Sequence, residues 1–203
     1  MNRRNFITGA SMGLLTILLG GCNFTSQDKA QPKSVVPPAT DNRGKAKKIL
    51  IAYFSYEGST KAFAESIQKE VGGDLFFIEP QAAYPKNRDT TIEQAKGEVE
   101  SKYTPKLVNK LADIRSYDII FIGTPIWWYT VAPTVRTFLT EYDLADKTVI
   151  PFSTHKGSGL SGIDKTIQEI QPKAKVLGGL AIGDGQVNDK QADIKNWLQR
   201  LKL

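Results

Sequence analysis

Two almost uninterrupted apolar segments constrain the fold of this chain more than any other feature. They run from Lys48 to Phe54 and from Tyr117 to Ile122. A strand with one face in water alternates apolar and polar residues, so runs like these predict strands covered on both faces, as in a parallel sheet. Three further segments, Leu75–Ile78, Thr148–Phe152 and Lys175–Ile182, have the length and composition of strands. The sequence therefore predicts five strands.

Helical patterns separate these strands. Phe63, Ile67 and Val71 recur at four-residue spacing, and Gly72-Gly73 ends that helix. A second helix is predicted over 92–112, with a break at Pro105. A third begins at Pro133 and has Val135, Phe138 and Leu139 on its apolar side, and a fourth contains Ile163, Ile167 and Ile170 and ends at Pro172. The last is capped by Asn188, and its inward-facing residues are Ile194, Trp197, Leu198 and Leu201. This alternation predicts an open, doubly wound parallel sheet with helices on both faces. Ligands bind beyond the carboxyl ends of the strands in such sheets, so the loops after strands one, three and four should carry the chemistry.

The composition excludes several functional classes. The chain has 203 residues and a formal charge of +6, of which only +2 falls on residues 46–203. The Lys and Arg side chains of this part are interspersed with acids, which excludes the basic footprint of a nucleic-acid-binding domain. With Cys22 and His155 as its only cysteine and histidine, the chain has no intrachain disulfide and is not expected to bind a metal.

The first 21 residues are typical of an export signal. Arg3 and Arg4 form a basic start, and residues 6–21 carry no charge. This run is shorter than the roughly 20 apolar residues of a spanning helix, which indicates a signal peptide rather than an anchor. Residues 3–7, R-R-N-F-I, resemble the twin-arginine motif and favour that route over general secretion. A buried N-terminal helix is the alternative interpretation.

The end of this segment predicts a lipid anchor. Residues 19–22, L-G-G-C, resemble a lipobox, in which cleavage precedes a cysteine that becomes diacylated. Two acyl chains suffice for stable membrane attachment. Residues 22–45 are polar and contain three prolines, which predicts a disordered tether. We therefore expect a signal peptide over 1–21, a lipidated Cys22 with its tether over 22–45, and a folded domain over 46–203 on the extracytoplasmic face of a cell-envelope membrane.

The loop after the first strand is a candidate phosphate site. It contains the hydroxyls of Ser55, Ser59 and Thr60 and a permissive Gly58, and it opens directly into a helix. Backbone N–H groups at a helix N-terminus can hold a phosphate without a cation. The loop is not a Walker sequence, because G-x-x-x-x-G-K-[ST] is absent. The alternative is that Ser59 only caps the helix.

The loops after strands three and four complete the predicted site. Trp127, Trp128 and Tyr129 follow Pro125 and could form a wall for a flat ring, or both tryptophans could belong to the core. The loop over 153–159 is polar and contains the only histidine, which as a loop residue is more often solvated or hydrogen-bonded than catalytic.

Three stretches together resemble the flavodoxin family, in particular the group with P-I-W-W after the third strand. They are residues 51–55 with 58–60, residues 117–128, and residues 154–155 with 157–159. The resemblance covers residues 46–203 and implies a short-chain flavodoxin-like sheet of order 2-1-3-4-5 with FMN as cofactor. It implies that Ser55, Gly58, Ser59 and Thr60 hold the phosphate. It also implies that the isoalloxazine is enclosed by Thr124, Pro125, Ile126, Trp127, Trp128, Thr154, His155, Gly157 and Ser158.

The resemblance implies an exported, lipid-anchored FMN electron carrier whose partner is an unidentified redox protein or a small quinone or flavin. Two alternatives stay open: an NAD(P)H-dependent quinone or flavin reductase of the same fold, and a cofactor-free cell-surface binding module. Residues 157–162 also read G-x-G-x-x-G, with Asp184 after the next strand, which would suit NAD. Against NAD, four polar residues precede Gly157 and no second half of a dinucleotide fold follows.

Two further expectations concern the surroundings of the ring. Residues 125–129 contain no glycine, so the peptide flip by which classical flavodoxins stabilise a neutral semiquinone would force a bulky residue into strained backbone here. We therefore expect less semiquinone than in a classical flavodoxin. The loop after strand four contains His155 and Lys156 and no carboxylate through Ile163, so we expect a positive charge near the ring. Such a charge would favour the anionic, two-electron-reduced flavin.

Overall fold

The computed structural model of the protein describes residues 46–203. The predicted signal peptide over 1–21, the lipidation site Cys22 and the tether up to residue 45 lie outside these described residues. Within 46–203, no helix is both long enough and apolar enough to cross a membrane.

The domain is built on one mainly parallel sheet. Its strands are β1 (Ile49–Tyr53), β2 (Asp74–Phe77), β3 (Ile119–Trp127), β4 (Thr130–Val131), β5 (Thr148–His155), β6 (Lys175–Val176) and β7 (Leu180–Gly183). The order is β2-β1-β3-β5-β6, with β7 also paired to β5. All of these pairs are parallel, and β4 adds a short antiparallel return on β3. The predicted doubly wound fold and its strand order are confirmed.

Helices cover both faces of this sheet. They are α1 (Ser59–Val71), α2 (Arg88–Glu100), α3 (Pro133–Glu141), α4 (Ile163–Ile170) and α5 (Gln191–Leu201), with short 3-10 helices at Ile114–Ser116 and Val187–Lys190. Alternate side chains of β1 enter opposite cores: Leu50 packs with α3 and α4, and Ile51 packs with α1 and α5. Because strand side chains alternate in direction, this explains why the central strands need apolar residues at every position.

The predicted helix over 92–112 is wrong in its bounds. The α2 helix begins at Arg88, after Asn87, whose side chain accepts a hydrogen bond from the Thr90 N–H at 3.0 Å. It ends before Pro105, and the chain over 102–113 is irregular. Leu107 there pairs with Pro80 in an isolated antiparallel bridge, so its spacing to neighbouring apolar residues reflects packing rather than a helix.

Three other boundaries differ from the prediction. The fifth predicted strand is split into β6, which pairs with Thr148 and Val149 of β5, and β7, which pairs with β5 from Phe152 onward. Pro151 lies beside the gap and has no N–H for the ladder. A β-carbon at Gly179 would collide with the Pro151 carbonyl oxygen, so this close approach requires glycine. Asn188 lies inside a 3-10 turn and does not cap α5. The third strand continues to Trp127 and turns back through β4 in a hairpin that was not predicted.

Candidate functional site

The carboxyl ends of β1, β3 and β5 surround a cavity of about 680 Å³. Eleven of the thirteen predicted site residues line it: Ser55, Ser59, Thr60, Pro125, Ile126, Trp127, Trp128, Thr154, His155, Gly157 and Ser158. The three loops converge because parallel strands end at the same edge of the sheet, as the topology requires.

Two predicted site residues, Gly58 and Thr124, are absent from the cavity lining. Gly58 occupies the N-cap position of α1 with a φ of 97°, a left-handed conformation in which glycine avoids the steric penalty of a β-carbon. Thr124 is fully buried, and its hydroxyl accepts a hydrogen bond from the Ala132 N–H at 2.9 Å. Thr124 therefore stabilises the second strand of the β3–β4 hairpin and does not face the cavity.

One end of the cavity is the N-terminus of α1. The Lys61 N–H donates to Ser55 Oγ at 3.2 Å, and the Ala62 N–H donates to the Gly58 carbonyl at 3.0 Å. The N–H groups of Ser59 and Thr60 belong to the first turn, where a helix offers no internal acceptor. These donors and the positive end of the helix dipole suit an anion.

The hydroxyls of this loop are held by other loops. Ser59 does not cap α1; its Oγ accepts from the Gly185 N–H at 3.1 Å, beyond the end of β7. The Thr60 hydroxyl lies 2.8 Å from that of Thr154, and both side chains are buried. The candidate anion site is thus fixed to the ends of β5 and β7.

The other end of the cavity is aromatic, and its two tryptophans have different environments. Trp127 packs edge-on against the rings of Phe54, Tyr56 and Tyr84, with centroids 5.6, 5.9 and 4.7 Å away. Trp128 is 43% exposed, and its Nε1–H donates to the Ile92 carbonyl at 3.0 Å. The first indole is therefore anchored in an aromatic cluster, whereas the second is available to a ligand.

The tip of the β3–β4 hairpin has an unusual backbone. Trp127 pairs with Thr130, and the two residues between them, Trp128 and Tyr129, have φ values of 48° and 63°. Two-residue hairpin turns with both φ values positive usually contain Asn-Gly, because left-handed backbone costs other residues roughly 1–2 kcal/mol each. The bulky residues in strained backbone, which were expected to result from a peptide flip, are therefore present without one.

The charge near the loop after β5 also differs from the expectation. Lys156 Nζ lies 2.9 Å from Asp184 Oδ2 and 3.4 Å from Glu57 Oε2, carboxylates that come from two other loops. Burial acts to raise the pKa of Asp184, but hydrogen bonds from Ser59 and Lys156 together with the Lys156 charge hold it below its usual value. The hydrogen bond to Asp184 in turn raises the pKa of Lys156. The positive charge predicted for this loop is thus compensated.

The only histidine of the chain shapes a turn. His155 Nδ1 accepts a hydrogen bond from the Gly157 N–H at 3.0 Å, where the chain leaves β5 and Gly157 adopts a φ of 110°. This arrangement fits the hydrogen-bonding interpretation of a loop histidine. It also leaves the Gly157 N–H already occupied by a protein acceptor.

The comparison with protein families decides the relationship. The family model described as Flavodoxin matches residues 48–201. This chain belongs to the flavodoxin family. Three solved structures are similar: candidate flavoproteins from Bacteroides eggerthii and Bacteroides uniformis and a flavoprotein from Lactobacillus acidophilus in complex with FMN. None of the curated protein sequences matches the chain.

The structural similarity covers nearly all of each related flavoprotein. The B. eggerthii protein is 30% identical, with a TM-score of 0.69 over 78% of this chain and 99% of its own. The corresponding values for B. uniformis are 30%, 0.68, 76% and 99%. For L. acidophilus they are 27%, 0.58, 72% and 99%.

Seven cavity residues of this flavodoxin were not predicted to form the site: Tyr56, Glu57, Arg88, Thr91, Ile92, Ala95 and Asp184. Tyr129 and Lys156, expected as part of the ring wall and as a charge near the ring, also line the cavity. Four of the seven lie on one face of α2, spaced three or four residues apart. Arg88 and Thr91 precede the helix predicted from residue 92. Ile92 and Ala95 lie within it, but only the loops after the strands were expected to carry the site. The acid Asp184 was considered only as part of a glycine motif, whereas in the structure it binds Lys156.

Proposed function

We propose that this flavodoxin binds FMN in the cavity beyond β1, β3 and β5 and transfers electrons through it. When bound, FMN supplies reversible reduction of its isoalloxazine ring, while the protein supplies binding and orientation. The observation that carries the proposal is a single cavity with helix N–H donors at one end and exposed aromatic side chains at the other. The complex of the L. acidophilus relative with FMN supports the same cofactor.

The donor set at the α1 end fits a phosphate. The free N–H groups of Ser59 and Thr60 would hold its oxygens, together with the hydroxyl of Ser55. The hydroxyls of Ser59 and Thr60 would donate to it by exchanging their bonds to Asp184 and Thr154. Gly58 permits the tight entry into the helix because its φ is positive. A β-carbon there would contact no other atom, but a residue with a side chain would be strained in this backbone conformation. This donor set discriminates FMN from flavins that lack the phosphate.

The opposite end fits a flat, largely apolar ring. Pro125 and Ile126 form part of the wall at the end of β3, and Trp128 and Tyr129 extend it at the hairpin tip. Ile92 of α2 stands next to Trp128 through the indole hydrogen bond. A volume of about 680 Å³ lies within the usual range of cofactor pockets, roughly 300–1,000 Å³.

Binding measurements test this function directly. Apoprotein titrated with FMN and with riboflavin, followed by quenching of flavin fluorescence, should bind FMN more tightly, because only FMN has the phosphate. Ser59→Ala with Thr60→Ala should remove most of that preference. Protein that takes up no FMN would favour the cofactor-free binding module. Direct bleaching of the bound flavin by NADH or NADPH would instead favour the reductase.

We also propose that the protein is exported by the twin-arginine route and anchored through a diacylated Cys22. The proposal is supported by the R-R-N-F-I and L-G-G-C sequences. The twin-arginine route carries folded proteins, so a cofactor acquired in the cytoplasm would travel inside the fold. Lys at both positions 3 and 4 should leave the precursor in the cytoplasm, and Cys22→Ser should abolish lipidation without loss of flavin. Normal membrane-bound protein from both variants would contradict this.

A further inference from the structure

Four charged side chains from four different segments meet at the edge of the cavity. Lys156 Nζ lies between Asp184 Oδ2, at 2.9 Å, and Glu57 Oε2, at 3.4 Å. Glu57 also pairs with Arg88 at the start of α2, with Nη1 and Oε1 3.7 Å apart. We name these residues the charge bridge. All four line the cavity, and their formal charges sum to zero.

The charge bridge lies at the α1 end of the cavity. Glu57 precedes Gly58, the N-cap of α1. Burial acts to raise the pKa of Asp184, and a hydrogen bond from the Ser59 hydroxyl acts to lower it. Gly185, the neighbour of Asp184, donates its N–H to the same Ser59 oxygen at 3.1 Å. The Lys156 ammonium is therefore separated from the first residue of α1 by a single carboxylate.

We propose that Lys156 is the counter-ion of the ligand's phosphate, shared with Glu57 and Asp184, so that this pair of acids sets how strongly the cavity prefers a phosphorylated flavin. This inference rests on the proposed FMN function. It assigns Lys156, which follows β5, to the phosphate end of the cavity rather than to the ring.

Charge balance gives the inference a direction. With all four side chains ionised, a phosphate at the α1 end meets a neutral group. Without the Lys156 charge, the phosphate meets two carboxylates and one cation, Arg88, so the group has a net negative charge. Without the Asp184 charge, it meets two cations and one carboxylate, so the group has a net positive charge. Lys156 is 52% exposed and Asp184 20%, so water and salt screen the interaction and the effects should be moderate.

The test compares Lys156→Met and Asp184→Asn, which remove opposite charges with little change of shape. Affinities for FMN and riboflavin are measured for the full chain by fluorescence quenching, at low and high salt. We expect Lys156→Met to weaken FMN binding about tenfold and Asp184→Asn to strengthen it about threefold, with riboflavin changed by less than about twofold. Both effects should shrink at high salt.

Two controls separate charge from structure. Lys156→Arg keeps the charge and should retain the FMN preference. Lys190→Met, at a lysine that pairs with Asp193 and does not line the cavity, changes the net charge equally and should leave both affinities unchanged.

The possible failures are distinguishable. If FMN and riboflavin affinities fall together in both variants, the charge bridge only holds the loops in place and the inference is overturned. If the FMN affinities of both variants equal that of the unaltered protein, Lys156 is not the counter-ion. If the unaltered protein binds FMN no more tightly than riboflavin, the phosphate assignment within the proposed function fails as well.

Discussion

Two turns that bound the cavity both contain residues with positive φ, but the residue types at these positions differ. The turn into α1 has a positive φ at Gly58, where the surroundings are open. The β3–β4 turn has positive φ at Trp128 and Tyr129, both of which carry large side chains. The first turn is therefore relaxed, whereas the second is strained by roughly 1–2 kcal/mol per residue. Strain of this kind persists only where the surrounding structure maintains it.

The surroundings of the hairpin account for its persistence. Trp127 is held by three aromatic rings, and Thr124 receives the Ala132 N–H just before α3 begins. The Trp128 indole is fixed by the Ile92 carbonyl, with Lys96 Nζ 5.4 Å from its ring centroid. The comparison indicates that the α1 end depends on backbone freedom, while the aromatic end depends on packing around a strained turn.

The largest effect should come from removing the bond that holds the strained turn. Thr124→Val preserves the shape of the side chain but leaves the buried Ala132 N–H without its acceptor. This should lower the free energy of unfolding by about 1–3 kcal/mol. Denaturant unfolding measures the loss, and Thr124→Ser is the control that keeps the hydroxyl. Unchanged stability of Thr124→Val would show that this bond does not maintain the turn.

A smaller effect is expected at the relaxed turn. Gly58→Ala meets no steric obstacle, so its cost is conformational and should be about 1–2 kcal/mol. Gly58→Asn should cost less, because asparagine tolerates left-handed backbone better. Equal unfolding free energies for the two variants would contradict the view that φ alone demands glycine here.

The strained turn should gain stability from glycine. Tyr129 is 74% exposed and contributes little burial, so Tyr129→Gly should be more stable than Tyr129→Ala by roughly 1 kcal/mol. Both variants lose the ring, so the difference between them isolates the strain. If both variants also weaken FMN and riboflavin binding equally, the phenol ring of Tyr129 contributes to binding of the flavin ring, and the strained turn is what places it at the cavity. Tyr129→Ala as stable as Tyr129→Gly would remove the contrast between the two turns.

The same contrast explains how much the sequence could predict. The apolar run of β1 and the topology of parallel sheets suffice to bring three loops to one cavity. The hairpin could not be predicted, because Trp128 and Tyr129 are among the residues least typical of such a turn. The start of α2 depends on the Asn87 cap, which precedes a mostly polar helix with little apolar periodicity. The contact of Lys156 with Asp184 joins separate loops, and no local pattern specifies it.

The smallest effect concerns pH, and it applies to the α1 end alone. The pKa of Asp184 is lowered, so its contribution to stability is present above the unfolded value of 3.8 and is lost as the pH falls through the folded pKa. The pKa of Lys156 is raised, so its contribution is present below 10.5 and is lost as the pH rises through the folded pKa. The pair should therefore stabilise the fold between these limits.

A double-mutant cycle with Lys156→Met and Asp184→Asn isolates this pair from the rest of the charge bridge. Because half of the lysine side chain is exposed, the coupling energy near neutral pH should be below about 1 kcal/mol. It should disappear in acid once Asp184 is protonated, and it should decline with added salt. The Trp128–Tyr129 turn contains no carboxylate or imidazole, so the stability difference between Tyr129→Gly and Tyr129→Ala should not change over the same acid range. A coupling energy that persists in acid would mean that the two side chains stabilise the loops by packing rather than by charge, and the electrostatic distinction between the two ends of the cavity would be lost.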